Sequence, residues 1–262
     1  MPVFSTSDAD IHYEIAGDGP PLLLIAGLAS DNASWGPVTP LLSKHFKLIM
    51  PDNRGAGRTR TAAPFSVEAM ADDCAALLDH LQINRAHVVG HSMGGIIAMT
   101  LAARAPERIE KLVLAASCAR TPARAISVID TILLLRKAGA PQEHWLRSFF
   151  HWLFKPEFFE NKNAVDAAIA LSMAYPYAQS AEGMRAQVDM LRGYDASALP
   201  AALTSDTLLL AGEHDLMFSP EDIKAAFEAA RARFEILPGA AHSLHWDDPA
   251  GFSSNVIAFL SD

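Results

Sequence analysis

The chain has 262 residues, a formal net charge of −9, 50% hydrophobic and 19% charged residues. That length suits one large α/β core, and the composition excludes a disordered chain. The acidic balance argues against nucleic acid or anionic membrane as partners, because both require a basic face.

No apolar stretch approaches the ~20 residues of a membrane-spanning helix, and the opening residues carry neither a basic nor an apolar leader. A cytoplasmic role on a small molecule is expected. Cys74 and Cys118 are too few for a disulfide framework and have no metal-ligand spacing. They read as buried, reduced thiols, and neither a metal nor a cofactor is expected. The sequence says nothing about oligomeric state.

In chain order, residues 11–15 alternate in polarity and suggest an antiparallel edge strand. Five apolar runs follow, at 22–26, 46–50, 86–90, 112–116 and 207–211, with helix-period segments after them. Continuous rather than alternating hydrophobicity indicates strands buried on both faces, as in a mostly parallel sheet flanked by helices. Residues 234–237 read as a last strand and 249–260 as a closing helix. The fold class is therefore α/β, doubly wound.

That alternation breaks between about 119 and 199, a helical and aromatic-rich stretch. It reads as a helical cap inserted into a core domain formed by 1–118 and 200–262. Its apolar residues include Trp145, Phe149, Phe150, Trp152, Phe154, Phe158, Phe159, Met173, Tyr175, Tyr177 and Met184. Most read as the cap's own core, but some should face a ligand cleft; Trp145, Phe150, Trp152, Phe154 and Tyr175 are the candidates for a substrate pocket.

The chemistry centres on Gly90-His91-Ser92-Met93-Gly94, directly after an apolar run and directly before a helix-like segment. Glycines at both ends permit a sharp strand-to-helix turn that exposes the serine hydroxyl above a sheet. A hydroxyl is a weak nucleophile, so a histidine must take its proton and an acid must hold that histidine. The pattern carries a chain order of serine, acid, histidine, which places both partners downstream.

After run 207–211 come Glu213, His214 and Asp215; after 234–237 come Gly239, Ala240, Ala241 and His242. Asp215 is preferred to Glu213, which lies closer to the strand and reads as a structural hydrogen-bonding group. His242 is preferred to His245, which lies farther on, beside Trp246. His91 and His214 read as packing groups, and His12, His45, His80 and His87 as structural or surface residues. For the oxyanion, one donor should be the backbone N–H of Met93 and the other that of Leu28, after the first buried run.

With these residues in view, the chain resembles the α/β-hydrolase superfamily over essentially its full length. More narrowly it resembles the branch of 3-oxoadipate enol-lactonases, haloperoxidases and small esterases. The matching residues are Ala26-Gly27-Leu28 with Trp35, the loop from Pro51 to Thr59, the Ser92 elbow, and the Asp215 and His242 loops. The resemblance implies that Asp52 and Arg54 hold their loop rather than react. Ala26 stands where that family often has histidine, and His91 departs from the usual lactonase residue. Serine in place of aspartate at the nucleophile disfavours the epoxide-hydrolase and dehalogenase branches.

The expected activity is cleavage of a small carboxylic ester or lactone through an acyl-enzyme on Ser92. A C–C bond hydrolase of ring-cleavage products, or a triad-retaining receptor for a small ligand, stays open.

Overall fold

A computed structural model describes residues 2–62 and 64–262. The apolar runs become the middle of one sheet built from β1 (Val3–Ser5), β2 (Ala9–Ala16), β3 (Pro21–Ile25), β4 (Lys47–Pro51), β5 (Arg60–Thr61), β6 (Ala86–His91), β7 (Ile109–Ala115), β8 (Asp206–Gly212) and β9 (Ala232–Leu237). Its order is β1-β2-β4-β3-β6-β7-β8-β9, with β5 also paired to β2. Pairing is parallel from β4 through β9 and antiparallel where β2 meets β1, β4 and β5.

The helices are α1 (Thr39–Leu42), α2 (Val67–His80), α3 (Met93–Arg104), α4 (Ala123–Lys137), α5 (Gln142–Leu153), α6 (Lys162–Ala174), α7 (Ala181–Gly193), α8 (Pro220–Ala226), α9 (Leu244–Asp247) and α10 (Pro249–Ser261). Among the described residues none is long and apolar enough to cross a membrane.

Burial on both faces explains the unbroken apolar runs. Successive strand residues point to opposite sides of a sheet. Leu23 and Ile25 of β3 join Val88 and Leu114 in the core under α2 and α3, whereas Leu22 and Leu24 join Val89 and Val113 in the core under α1 and α10. The parallel α/β architecture expected from the sequence is the one observed.

Two local expectations shift. The alternating segment at 11–15 lies in β2, second from the edge, because the three-residue β1 pairs outside it. The strand expected at 112–116 starts earlier, at Ile109, where Lys111 pairs with Asp206 and its ammonium donates to the Phe259 carbonyl at 2.9 Å. Charged residues at that end sit where the strand leaves the core, so the apolar run understates its length.

Helices α4 to α7 come between β7 and β8. Leu146, Phe150, Val165 and Ile169 form a small core of their own among them. The loops after β3, β6, β8 and β9 all leave the C-terminal ends of parallel strands, the edge at which open α/β sheets bind ligands.

Candidate active site

The turn from β6 into α3 creates the first feature of the site. Ser92 has φ 54° and ψ −119°, a conformation few non-glycine residues adopt. Its N–H donates to the Ala115 carbonyl at 2.9 Å, and Ser117 Oγ donates to the Ser92 carbonyl at 2.8 Å. A Cβ on Gly94 would run into the Ile25 and Ala26 carbonyls, so only glycine lets α3 begin this close to β3.

Three elements converge on that serine. The Ser92 hydroxyl donates to His242 Nε2 at 3.0 Å, and His242 Nδ1 donates to Asp215 Oδ2 at 2.9 Å. Asp215 Oδ1 accepts the N–H groups of Met217 and Phe218 at 2.8 and 2.9 Å, which fixes the carboxylate without a cationic partner. Phe218 stacks on the His242 ring at 5.4 Å and 14°. All three side chains are buried, and Ser92 and His242 line a cavity of about 680 Å³.

Leu28 and Met93 line the same cavity. Met93 opens α3, where a helix supplies no acceptor for the backbone N–H. Among the described residues the Leu28 N–H likewise meets no acceptor. Two residues whose backbone N–H groups lack an acceptor among the described residues thus line the cavity together with Ser92. The loop carrying Leu28 is pinned by Asp52, whose Oδ1 accepts the Asn32 N–H at 2.9 Å, and by Asn53, whose Nδ2 donates to the Ala26 carbonyl at 2.8 Å.

A family model described as the alpha/beta hydrolase fold matches residues 20–249. The chain belongs to the α/β-hydrolase fold family. It is 32% identical to a candidate carbamate hydrolase, RutD, of Azorhizobium caulinodans, over 100% of this chain and 99% of that protein. Among solved structures it is similar to the enol-lactonase of Burkholderia xenovorans LB400, with a TM-score of 0.88, 26% identity and full coverage of both chains. A thermophilic esterase of Thermogutta terrifontis, seen with malate bound, is similar with a TM-score of 0.83 and 26% identity, over 97% of this chain and 93% of that one.

In this α/β hydrolase the remaining sequence candidates divide clearly. Trp145, Phe150, Phe154 and Tyr175 line the cavity; Trp152 does not. Trp152 lies two turns along α5 from Trp145, on the same side of the helix, and packs against the main core there. Glu213 Oε2 accepts the Gly239 N–H at 2.8 Å, a link between the loops that carry Asp215 and His242. His214 is exposed, on the outside of that loop.

His91 and His245 form an unanticipated buried pair beside the triad. Their ring centroids are 4.6 Å apart, and His245 packs on Trp35 at 4.8 Å. His91 Nε2 donates to the His242 carbonyl at 2.8 Å. Burial drives the His91 pKa well below its usual value, with the fields of His245 and His242 adding to it, and takes His245 to about 3. Both rings are therefore neutral at physiological pH. Burial likewise pushes the Cys118 thiol up to about 12, so it stays protonated.

The polar contacts made on the helical side were not readable from the sequence. The Tyr175 hydroxyl donates to Asp31 Oδ2 at 2.6 Å, and burial raises the Asp31 pKa against that hydrogen bond. Arg136 lines the cavity from the last turn of α4. Its place at the end of an apolar run, 132–135, was readable, but not the direction it faces. Among the described residues no cluster of His, Cys, Asp or Glu is arranged to hold a metal ion.

Proposed function

We propose that this α/β hydrolase cleaves a small carboxylic ester or lactone through an acyl-enzyme on Ser92. The observation that carries the reading is the continuous hydrogen-bonded line from Ser92 Oγ through His242 to Asp215, opening into an apolar cavity.

His242 Nε2 takes the Ser92 proton as Oγ attacks the substrate carbonyl carbon, and the carbonyl π electrons move onto its oxygen. The backbone N–H groups of Leu28 and Met93 receive that oxyanion. Collapse of the tetrahedral intermediate expels the alkoxide, which takes the proton from His242. Water then attacks the acyl-enzyme with His242 again as base, releasing the acid and restoring Ser92. Asp215 holds Nδ1–H throughout and stabilises the transient imidazolium.

Residues 119–199 act in this scheme as a cap over the core formed by 1–118 and 200–262. Similarity to proteins named carbamate hydrolase, enol-lactonase and esterase supports an acyl carbon bearing a heteroatom leaving group, the feature those substrates share.

Steady-state hydrolysis of short p-nitrophenyl esters and simple lactones tests the proposal. Wild type turns over at least one of them, and Ser92→Ala lowers kcat by about 10⁶, the cost of the same change in a serine protease. Activity retained in Ser92→Ala contradicts the assignment. A receptor would bind such ligands without turnover.

A further inference from the structure

Arg136 presents a guanidinium to a cavity that is otherwise largely apolar, and among the described residues it pairs with no carboxylate. Its contacts are the Gln179 carbonyl, which accepts from Nη2 at 2.8 Å, the Met184 sulfur, 3.7 Å from Nη1, and the Trp145 ring, 4.7 Å below the guanidinium carbon. Two neutral acceptors and a π face leave most of its five N–H donors without a strong partner.

The other charges lining the cavity are accounted for differently. Asp31 accepts from the Tyr175 hydroxyl and the Ala33 N–H. Lys155 donates from Nζ to the Asp247 carbonyl at 2.8 Å, and its backbone N–H meets the Asp247 carboxylate. Glu157 is exposed at the rim. The carboxylate whose field reaches Arg136 is that of Glu182, outside ion-pair range; burial outweighs it and lowers the arginine's pKa from its ordinary value.

We infer that Arg136 is a substrate-recognition residue that binds an anionic group, a carboxylate or its isostere, at the end of the substrate remote from the scissile bond. A guanidinium offers a planar fork matched to a carboxylate and cannot shed its proton, so a partly desolvated one discriminates strongly for anions. Stacking on Trp145 and the bond to Gln179 fix the plane of the fork and reduce the order an incoming carboxylate must impose. The substrate class narrows to esters or lactones carrying a second, ionised acid group, joined by an apolar chain that suits a cavity lined by Phe149, Phe150 and Leu146. The inference rests on the hydrolase reading of Ser92.

The test compares two ester series of equal chain length: mono-p-nitrophenyl esters of dicarboxylic acids from glutaric to suberic, and the p-nitrophenyl alkanoates. Wild type should favour the carboxylate-terminated ester at one or more lengths. Arg136→Gln should cut the carboxylate-to-alkanoate ratio of kcat/KM by about tenfold to a hundredfold, mainly through KM, the range expected for lost hydrogen bonds to a charged group. Arg136→Lys, which keeps the charge but not the fork, should retain part of the preference, whereas a purely structural strap would lower both series together.

Ester turnover with no carboxylate preference, or a preference that Arg136→Gln leaves intact, overturns the subsite and spares the role of Ser92. If no ester is turned over, that reading fails first. Calorimetry with monomethyl esters of the same diacids on Ser92→Ala then judges the subsite alone: binding that weakens in Ser92→Ala/Arg136→Gln sustains it, and no binding rejects it.

Discussion

Ser92 occupies its left-handed, non-glycine conformation because three neighbours hold it there: the Ala115 carbonyl, the Ser117 hydroxyl and the first turn of α3. Such backbone strain, of order 1–3 kcal/mol, persists only where the surroundings over-determine it. Asp215 is fixed just as firmly by two backbone N–H groups. Asp215→Asn should therefore keep the fold yet present His242 in the wrong tautomer, with kcat falling by about 10⁴ as in the equivalent protease variant. Stopped-flow or steady-state ester kinetics with a thermal melt checks it; near-normal kcat would sink the proposed role.

At the same scale, the sequence exposed those residues because the chemistry demands particular side chains in loops after strands. It did not expose Arg136, or separate Trp145 from Trp152. The side of α4 that meets the cavity is not readable because α4 has apolar residues all round, and Trp145 and Trp152, seven residues apart, share one apolar side of α5. His245 was set aside for its distance along the chain, yet one turn of α9 returns it to the His91 ring.

Among the elements, the inserted helices join the main apolar core through Ile129, Phe149, Met184 and Val188, and a few polar links tie them to the loops of that core. Tyr175, beyond the end of α6, reaches Asp31 in the loop after β3; Gln179 and Gln187 donate to the Gly55 and Arg54 carbonyls at 2.8 Å. Tyr175→Phe should destabilise the protein by about 1–3 kcal/mol at neutral pH, the value of a hydrogen bond to a buried charge. Because the Asp31 pKa is raised, lower pH protonates that carboxyl and relieves its need for a donor. The penalty should shrink as pH falls, and urea melts at several pH values would show it; a penalty that grows in acid contradicts the assignment.

The element pattern itself was legible wherever a strand is buried on both faces, as in β3, β6 and β8. It was not legible for β1 and β5, three and two residues long, which offer no period to read.

For the whole molecule, two buried polar systems shape how the stability of the apolar core responds to mutation and to pH. Arg54, 4% exposed, grips Asp73 through Nε and Nη2 at 2.6 and 2.8 Å and Asp8 through Nη1 at 2.8 Å. Arg54→Met strands the Asp73 carboxylate and should cost about 3–5 kcal/mol by urea denaturation; a loss under about 1 kcal/mol would show that water reaches Asp73.

The second system is the neutral His91 and His245 pair. Their folded pKa values lie below 6.5, so between pH 6.5 and about 3 the unfolded chain binds protons that the fold refuses. The stability this gives is fully present above pH 6.5 and drains away as pH falls. His245→Gln should remove up to one proton from that uptake and flatten the decline of Tm in acid; an unchanged slope contradicts it.

The central claim is that Ser92 is activated by His242 to attack acyl-like centres. Labelling with a fluorophosphonate, mapped by peptide mass spectrometry, reads this directly, without knowledge of the natural substrate. One phosphonyl group on Ser92 is expected, with labelling lost in Ser92→Ala and slowed severely in His242→Ala. No label on Ser92, or equal labelling in the His242 variant, would contradict the account.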